Sequence, residues 1–232
     1  MITLENISKE YINNGNYLSV LKNISFSISQ GQFISLVGMS GSGKTTLLKI
    51  ISGLDKDHAG IIKINNDSLE EYLKQHTIAL VPQQYSNFNW LNVFENVHEG
   101  NKNASEEEVS QILEYVGLSK FKNAHLKDLS GGMKQRVAVA RTLLQDTELI
   151  ILDEPFGALD VKTRYSLGNL LKKIALEKNK TVILVTHDIA DASRLSDRIL
   201  ILGDGSIQED ILVSKNKTHE VEENIFSYFM KK

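Results

Sequence analysis

The sequence contains no cysteine among its 232 residues. Disulfides, thiolate metal sites and a cysteine nucleophile are therefore excluded, and the composition fits a reducing compartment. Proline occurs only twice, as Pro82 and Pro155, so each marks a special backbone position. Basic residues are not in excess: 26 Lys and Arg stand against 29 Asp and Glu, for a net charge of −3. That balance gives no electrostatic footprint for nucleic acid. Apolar runs are only a few residues long, far short of the ~20 needed to span a membrane. Any membrane association is then expected to go through a partner. Met1-Ile2-Thr3-Leu4-Glu5-Asn6 has neither a basic nor an apolar signal region, so no signal peptide is expected. What remains is an ordinary globular composition, 41% hydrophobic and 24% charged, enough to bury a core. The length fits one large domain or a domain with a subdomain.

One stretch dominates the pattern: Gly38-Met39-Ser40-Gly41-Ser42-Gly43-Lys44-Thr45-Thr46. It reads G-x-x-x-x-G-K-[ST], the phosphate-wrapping loop. An apolar segment, Phe33 to Val37, precedes it, and the helix-compatible Thr46 to Ile51 follows. The motif thus lies between a strand and a helix N-terminus, where its chemistry requires it. There the glycines turn backbone N–H groups inward and the helix end adds its positive dipole. Lys44 would reach the β- and γ-phosphates, and the Thr45 hydroxyl would ligate Mg²⁺.

Around the loop the hydrophobic periodicity sorts the chain. Residues 2–28 alternate apolar and polar, as half-buried antiparallel strands do, with a turn at Asn13-Asn14-Gly15-Asn16. Tyr11 stands just before that turn, where an aromatic ring can stack on a base or half-fill a strand face. Gly53 is a natural stop for the helix after the loop. Ile61 to Ile64 and His76 to Val81 read as strands. Residues 85–128 lack strong strand signals and read as a helical insert. Its clearest helix runs from Ser105, with a Ser105/Glu108 capping box, to Gly117. A second long helix opens at Leu129-Ser130-Gly131-Gly132 and continues to about Leu144. Leu149 to Leu152 and Thr181 to Val185 are buried-strand runs, separated by a helix over Thr163 to Glu177. Asp204-Gly205 is a hairpin signal, and His219 to Lys232 reads as a terminal helix.

The Leu149 run ends in Asp153-Glu154-Pro155. Carboxylates at the end of an apolar parallel strand stand where α/β sheets bind ligands. Asp153 is the expected Mg²⁺ partner, and Glu154 the expected polariser of the attacking water. The other reading is a pair of exposed acids at a strand end. Ser130, Gly131 and Gly132 can form a second anion site, with Ser130 as N-cap and the glycines admitting a phosphate to the backbone. One loop of the Gly38–Thr46 kind leaves no use for a second cradle in the same subunit, so the economical reading gives it to a neighbouring subunit's nucleotide.

With these residues in place the chain resembles the nucleotide-binding subunit of an ATP-binding cassette transporter, from about residue 2 to residue 212. Leu129-Ser130-Gly131-Gly132-Met133-Lys134-Gln135 is similar to that family's signature motif, and the other family elements follow in order. The resemblance implies the roles that follow. Tyr11 would stack on adenine, and Gly38 to Thr46 would bind the phosphates. Gln83 would touch Mg²⁺ or water and sense the membrane subunit. Asp153 would hold Mg²⁺ with Thr45, Glu154 would be the catalytic glutamate, and His187 would hold the γ-phosphate and the base. Gly157-Ala158-Leu159-Asp160 would form the family's D-loop.

The implied fold is an α/β P-loop core, 1–82 and 145–212, with an antiparallel β subdomain, a helical subdomain over 83–144 and a helical tail over 213–232. The implied cofactors are ATP and Mg²⁺. The implied assembly is a homodimer beneath integral membrane permease subunits, indirectly served by a solute-binding protein, at the cytoplasmic face of the membrane. Trp90, Met133 and Leu195-Ser196-Asp197-Arg198-Ile199 are most similar to the nitrate, sulfonate and taurine importers. Pro82, Asn89 and Lys134 depart from the family's usual phenylalanine, proline and arginine. An exporter or lipid-extraction ATPase is the nearest alternative, though Phe156-Gly157-Ala158 is less usual there. A nucleic-acid cassette ATPase is the more distant one, and it lacks support from charge or cysteine content.

Overall fold

A computed structural model describes residues 2–13, 15–84, 87–157, 159–213 and 218–230. Two sheets carry the architecture. The first is antiparallel and has the order β2-β1-β4-β5. Its strands are β1 (Ile2–Asn13), β2 (Asn16–Ile28), β4 (Ala59–Ile64) and β5 (Asp67–Ser68). The second has six strands in the order β10-β9-β3-β8-β7-β6. These are β3 (Phe33–Val37), β6 (Ala79–Val81), β7 (Leu149–Asp153), β8 (Thr181–Val185), β9 (Arg198–Gly203) and β10 (Ser206–Leu212). All its neighbours pair in parallel except β10, which returns antiparallel to β9 through Asp204-Gly205.

Strands β3, β7 and β8 are buried at every position. That explains their largely apolar sequences, because both faces of a parallel sheet are covered; the buried Ser35 hydroxyl is paired with that of Ser196. The period of two divides them between two cores. Ile34, Leu36, Ile151, Ile183 and Val185 pack with the antiparallel sheet and with α1 (Lys44–Ile51). Phe33, Ile150, Leu152, Val182 and Leu184 face the other way, toward the remaining helices. That second core runs without a break into α3 (Val93–His98), α4 (Glu106–Tyr115), α5 (Gly131–Leu144) and α6 (Val161–Glu177). A third cluster joins α7 (Ile189–Leu195) and α8 (Thr218–Met230) to Ile199 and Ile201. Val221 and Ile225 are the buried stripe of the terminal helix, with Phe229 partly buried beside them.

Most element boundaries follow local chemistry. Ser105 and Glu108 form their capping box at the start of α4, and Ser130 caps α5 by accepting the Met133 N–H at 3.3 Å. Asp160 caps α6 in the same way, so that helix begins at Val161 rather than Thr163. The strand expected from His76 to Val81 is shorter than its apolar pattern. Ser68 and Glu71 make a further capping box that starts α2 (Leu69–Gln75). His76 closes that helix, and only Ala79–Val81 is left to pair with β7.

Candidate functional site

Four parallel strands, β3, β6, β7 and β8, deliver their carboxyl ends to one cleft of about 360 Å³. Such an edge is where open α/β sheets bind ligands. One wall is Val20, Gly38, Ser40, Gly41 and Gly43 to Thr46; the other is Gln83, Asp153, Glu154 and His187.

The loop wall is shaped by tight packing. A Cβ on Gly38 would collide with the Leu202 carbonyl, and Gly43, at φ +101°, would push one to 2.7 Å from Leu21 Cδ2. Gly43 also precedes α1 without any side-chain cap. The first-turn N–H groups are thus left for an anion, with the helix dipole behind them. Lys44 is buried and folds over the loop, its Nζ donating to the Gly38 and Met39 carbonyls at 2.8 Å each. Burial lowers its pKa, and the Glu154 and Asp153 charges partly restore it. Its described hydrogen bonds all go to neutral acceptors, so the ammonium charge fits an incoming phosphate.

On the opposite wall Asp153 Oδ2 accepts the Thr45 hydroxyl at 2.9 Å, while the buried Oδ1 has no hydrogen-bond partner. Burial raises the Asp153 pKa most strongly; Glu154 adds to the rise, and Thr45, Lys44 and Lys49 oppose it. An orphaned, hard carboxylate oxygen beside a hydroxyl is a fitting donor set for Mg²⁺. Among the described residues no three His, Asp or Glu side chains cluster as a metal cage. Thr45, Asp153 and Gln83 could therefore hold that ion only with phosphate oxygens or water completing its shell.

Glu154 ends the strand abruptly. Its backbone is left-handed, φ 52°, which is costly for a non-glycine residue. The N–H still bonds the Val185 carbonyl at 3.0 Å, so the turn swings the side chain over the end of β8. There Oε2 meets His187 Nδ1 at 2.7 Å. Pro155, which cannot continue a central strand, follows at once. The pair offers a carboxylate able to take a proton from water and an imidazole to orient it.

Other expected residues stand apart from this cleft. Tyr11 does not line it; its hydroxyl donates to Asp55 Oδ2 at 3.2 Å and Lys9 Nζ lies 4.9 Å from the ring centroid. Met39 and Ser42 face a neighbouring hollow on the other side of the loop. Ser130, Gly131 and Gly132 contribute nothing to its wall, and Ser130 and Gly131 are exposed. Gly157, Leu159 and Asp160 are described, whereas Ala158 lies outside the described residues.

Two residues at the site have no role of their own assigned from sequence. Val20, on β2, lines the cleft, and nothing in its local sequence distinguishes it from other strand valines. Gln135 is buried on α5 and its Nε2 donates to the Glu154 carbonyl at 3.3 Å. The residue ends the signature-like stretch that begins at Leu129, and on a helix that also carries Lys134, Arg136, Arg141 and Thr142 its inward position does not stand out.

Comparison with known proteins adds independent findings. A family model described as ABC transporter matches residues 21–157. An aliphatic sulfonates import ATP-binding protein of Bacillus cereus is 38% identical over 230 residues, which are 98% of this chain and 87% of that relative. A spermidine/putrescine import ATP-binding protein of Mycoplasma capricolum is 40% identical over 90% of this chain, but over only 60% of its own length. A dimeric ATP-binding cassette, solved in a post-hydrolysis state with ADP and Pi, superposes with a TM-score of 0.83 at 34% identity. It covers 92% of this chain and 99% of its own.

Proposed function

Because this chain belongs to the ABC transporter family, we propose that it is the ATP-hydrolysing subunit of an importer of small organic solutes. It works as a homodimer against integral permease subunits at the cytoplasmic face of the membrane, with a solute-binding protein delivering cargo to the permease. No described helix is long and apolar enough to cross a bilayer, so the membrane contact falls to those partners. Similarity to a sulfonates import protein along 98% of the chain supports a sulfonate-type anion as the solute.

The observation that carries the reading is one cleft with Lys44 on one wall and the Glu154–His187 pair on the other. In it, the Gly38–Thr46 backbone and Lys44 bind the nucleotide's phosphates. Thr45, Asp153 and Gln83 would hold Mg²⁺, which would supply charge neutralisation for phosphoryl transfer. Glu154 takes a proton from the attacking water as its oxygen bonds the γ-phosphorus and the bond to the β-phosphate oxygen breaks. His187 orients Glu154 and the γ-phosphate. Tyr11 stacks on adenine at the rim. Ser130, Gly131 and Gly132 of the second subunit close over the nucleotide, which accounts for an exposed helix start turned away from its own cleft.

Reconstitution in vesicles with the permease and a binding protein tests this. Hydrolysis stimulated by binding protein loaded with an alkanesulfonate, with uptake of that solute, is the expected result. Hydrolysis indifferent to every loaded binding protein, with export of a lipid or drug instead, would overturn the importer reading.

A further inference from the structure

His187 is poorly held by its own side chain. Its ring is 65% exposed, and its described bond is the one to Glu154. The position of the ring must therefore come from the backbone on either side. On the strand side, the Thr186 N–H bonds the Leu36 carbonyl at 3.3 Å. On the other side lies Asp188, whose N–H bonds Thr186 Oγ1 and whose Oδ1 caps Asp191 at the start of α7. α7 has only seven residues, too few to be stable alone.

Something else must fix it, and α6 does. Arg164 Nη1 lies 2.7 Å from Asp188 Oδ2 and its Nε lies 2.8 Å from Asp191 Oδ2. One guanidinium thus pairs with both carboxylates of the turn that follows His187; Nε and Asp191 Oδ2 make no hydrogen bond, so the hold on Asp191 is close charge pairing and not a directed fork. The Asp191 side chain is almost fully buried, so the grip is only weakly screened by solvent. Neighbouring bonds align the two helices: Arg194 joins Asp191 to Asn169, and Lys172 donates to the Arg194 carbonyl. Gly168 lets the helices approach, since a Cβ there would lie 2.8 Å from Arg194 Nη2.

We propose that Arg164 is a positioning residue for hydrolysis: by clamping Asp188 and Asp191 it holds His187 against Glu154. The proposal rests on the role given above to His187. It assigns a function to a residue that does not line the cleft. Loss of the clamp leaves the fold intact, because Asp191 keeps Arg194 and Asp188 keeps its cap on α7.

The test compares Arg164→Met and Arg164→Lys with the parent protein in full-length form. Arg164→Met is expected to lower kcat for ATP roughly ten- to a hundredfold, the scale of a slightly misplaced group. Its KM and its nucleotide affinity should stay unchanged. Arg164→Lys should restore turnover only in part, because an ammonium serves one carboxylate well. The His187 imidazole ¹⁵N resonances should shift in Arg164→Met, reporting loss of the Glu154 bond. Combined with His187→Ala, Arg164→Met should cost nothing further. Parental kcat in Arg164→Met, or slowed turnover with unmoved His187 resonances, overturns the clamp. If Arg164→Met fails to fold, the same resonances in Arg164→Lys decide: unmoved with slowed turnover, they overturn it. His187→Ala with parental turnover would instead remove His187 from the mechanism, a separate failure of the underlying reading.

Discussion

Glu154 Oε2 sits 2.7 Å from His187 Nδ1, although 33 residues separate them in the chain. The left-handed turn at Glu154 makes the contact possible, since an extended residue there would continue the strand. Glu154→Gln keeps the shape and removes the base. It should bind ATP with parental affinity and lose turnover about 10²- to 10⁴-fold, the usual share of a general base. Light scattering should show an ATP-dependent dimer that no longer dissociates. Near-parental hydrolysis would remove Glu154 from its role.

Asp153 provides a pH-dependent prediction. Burial raises its folded pKa above the unfolded value. Between the two values the folded chain binds more protons than the unfolded one, so this group's contribution to stability falls as pH rises through the folded pKa. Its charged form thus opposes folding at neutral pH. Asp153→Asn, free of nucleotide and Mg²⁺, should melt at a higher temperature than the parent at pH 7.5. The gain should shrink as pH falls toward the carboxylate range. Thermal scans at both pH values check this, and the stabilisation that Mg²⁺ and ATP give the parent should be lost.

Ser130 has a measurable structural job besides its proposed one. As the α5 cap, its loss in Ser130→Ala should cost about 1 kcal/mol in urea unfolding. Ser130→Asp preserves a cap but sets a negative charge where a phosphate would lie. Both variants, placed in the Glu154→Gln background, should fail to form the ATP-dependent dimer. If only Ser130→Ala failed, capping alone would explain the residue.

Asn96 supports the segment that presents Trp90. It is fully buried; its Nδ2 donates to the Phe88, Leu91 and Asn92 carbonyls, and its Oδ1 accepts the Phe88 N–H. Asn96→Ala strands several of those groups and should destabilise the chain by about 2–4 kcal/mol. Trp90 is 75% exposed, so its fluorescence reports the loosened segment directly. Reconstituted with a permease, this variant should lose coupling before it loses basal hydrolysis.

Local spacing determined a great deal by itself. Glycines five apart with a lysine beside the second define the phosphate loop, because the chemistry lies within nine consecutive residues. Ser105 with Glu108, and Ser130 before two glycines, announce helix starts for the same reason. The largely apolar runs at Phe33, Leu149 and Thr181 reveal buried parallel strands, since burial on both faces admits a polar residue such as Ser35 only where it finds a partner. The capping boxes at Ser68/Glu71 and Asn92/Glu95 were equally local, and they start helices where the hydrophobic pattern was too weak to show one.

What the tertiary structure decided has a different physical basis. The left-handed conformation of Glu154 costs energy locally and is sustained by its N–H bond to Val185, a residue of the next strand in the sheet. Gln135 under the Glu154 carbonyl, and Arg164 across Asp188 and Asp191, are contacts between elements with no fixed spacing in the chain. An arginine on a helix reads in sequence as a solvated charge; only packing of α6 against α7 turns it into a clamp. The sequence named the groups that face phosphate and water, and the fold chose the residues that hold them in place.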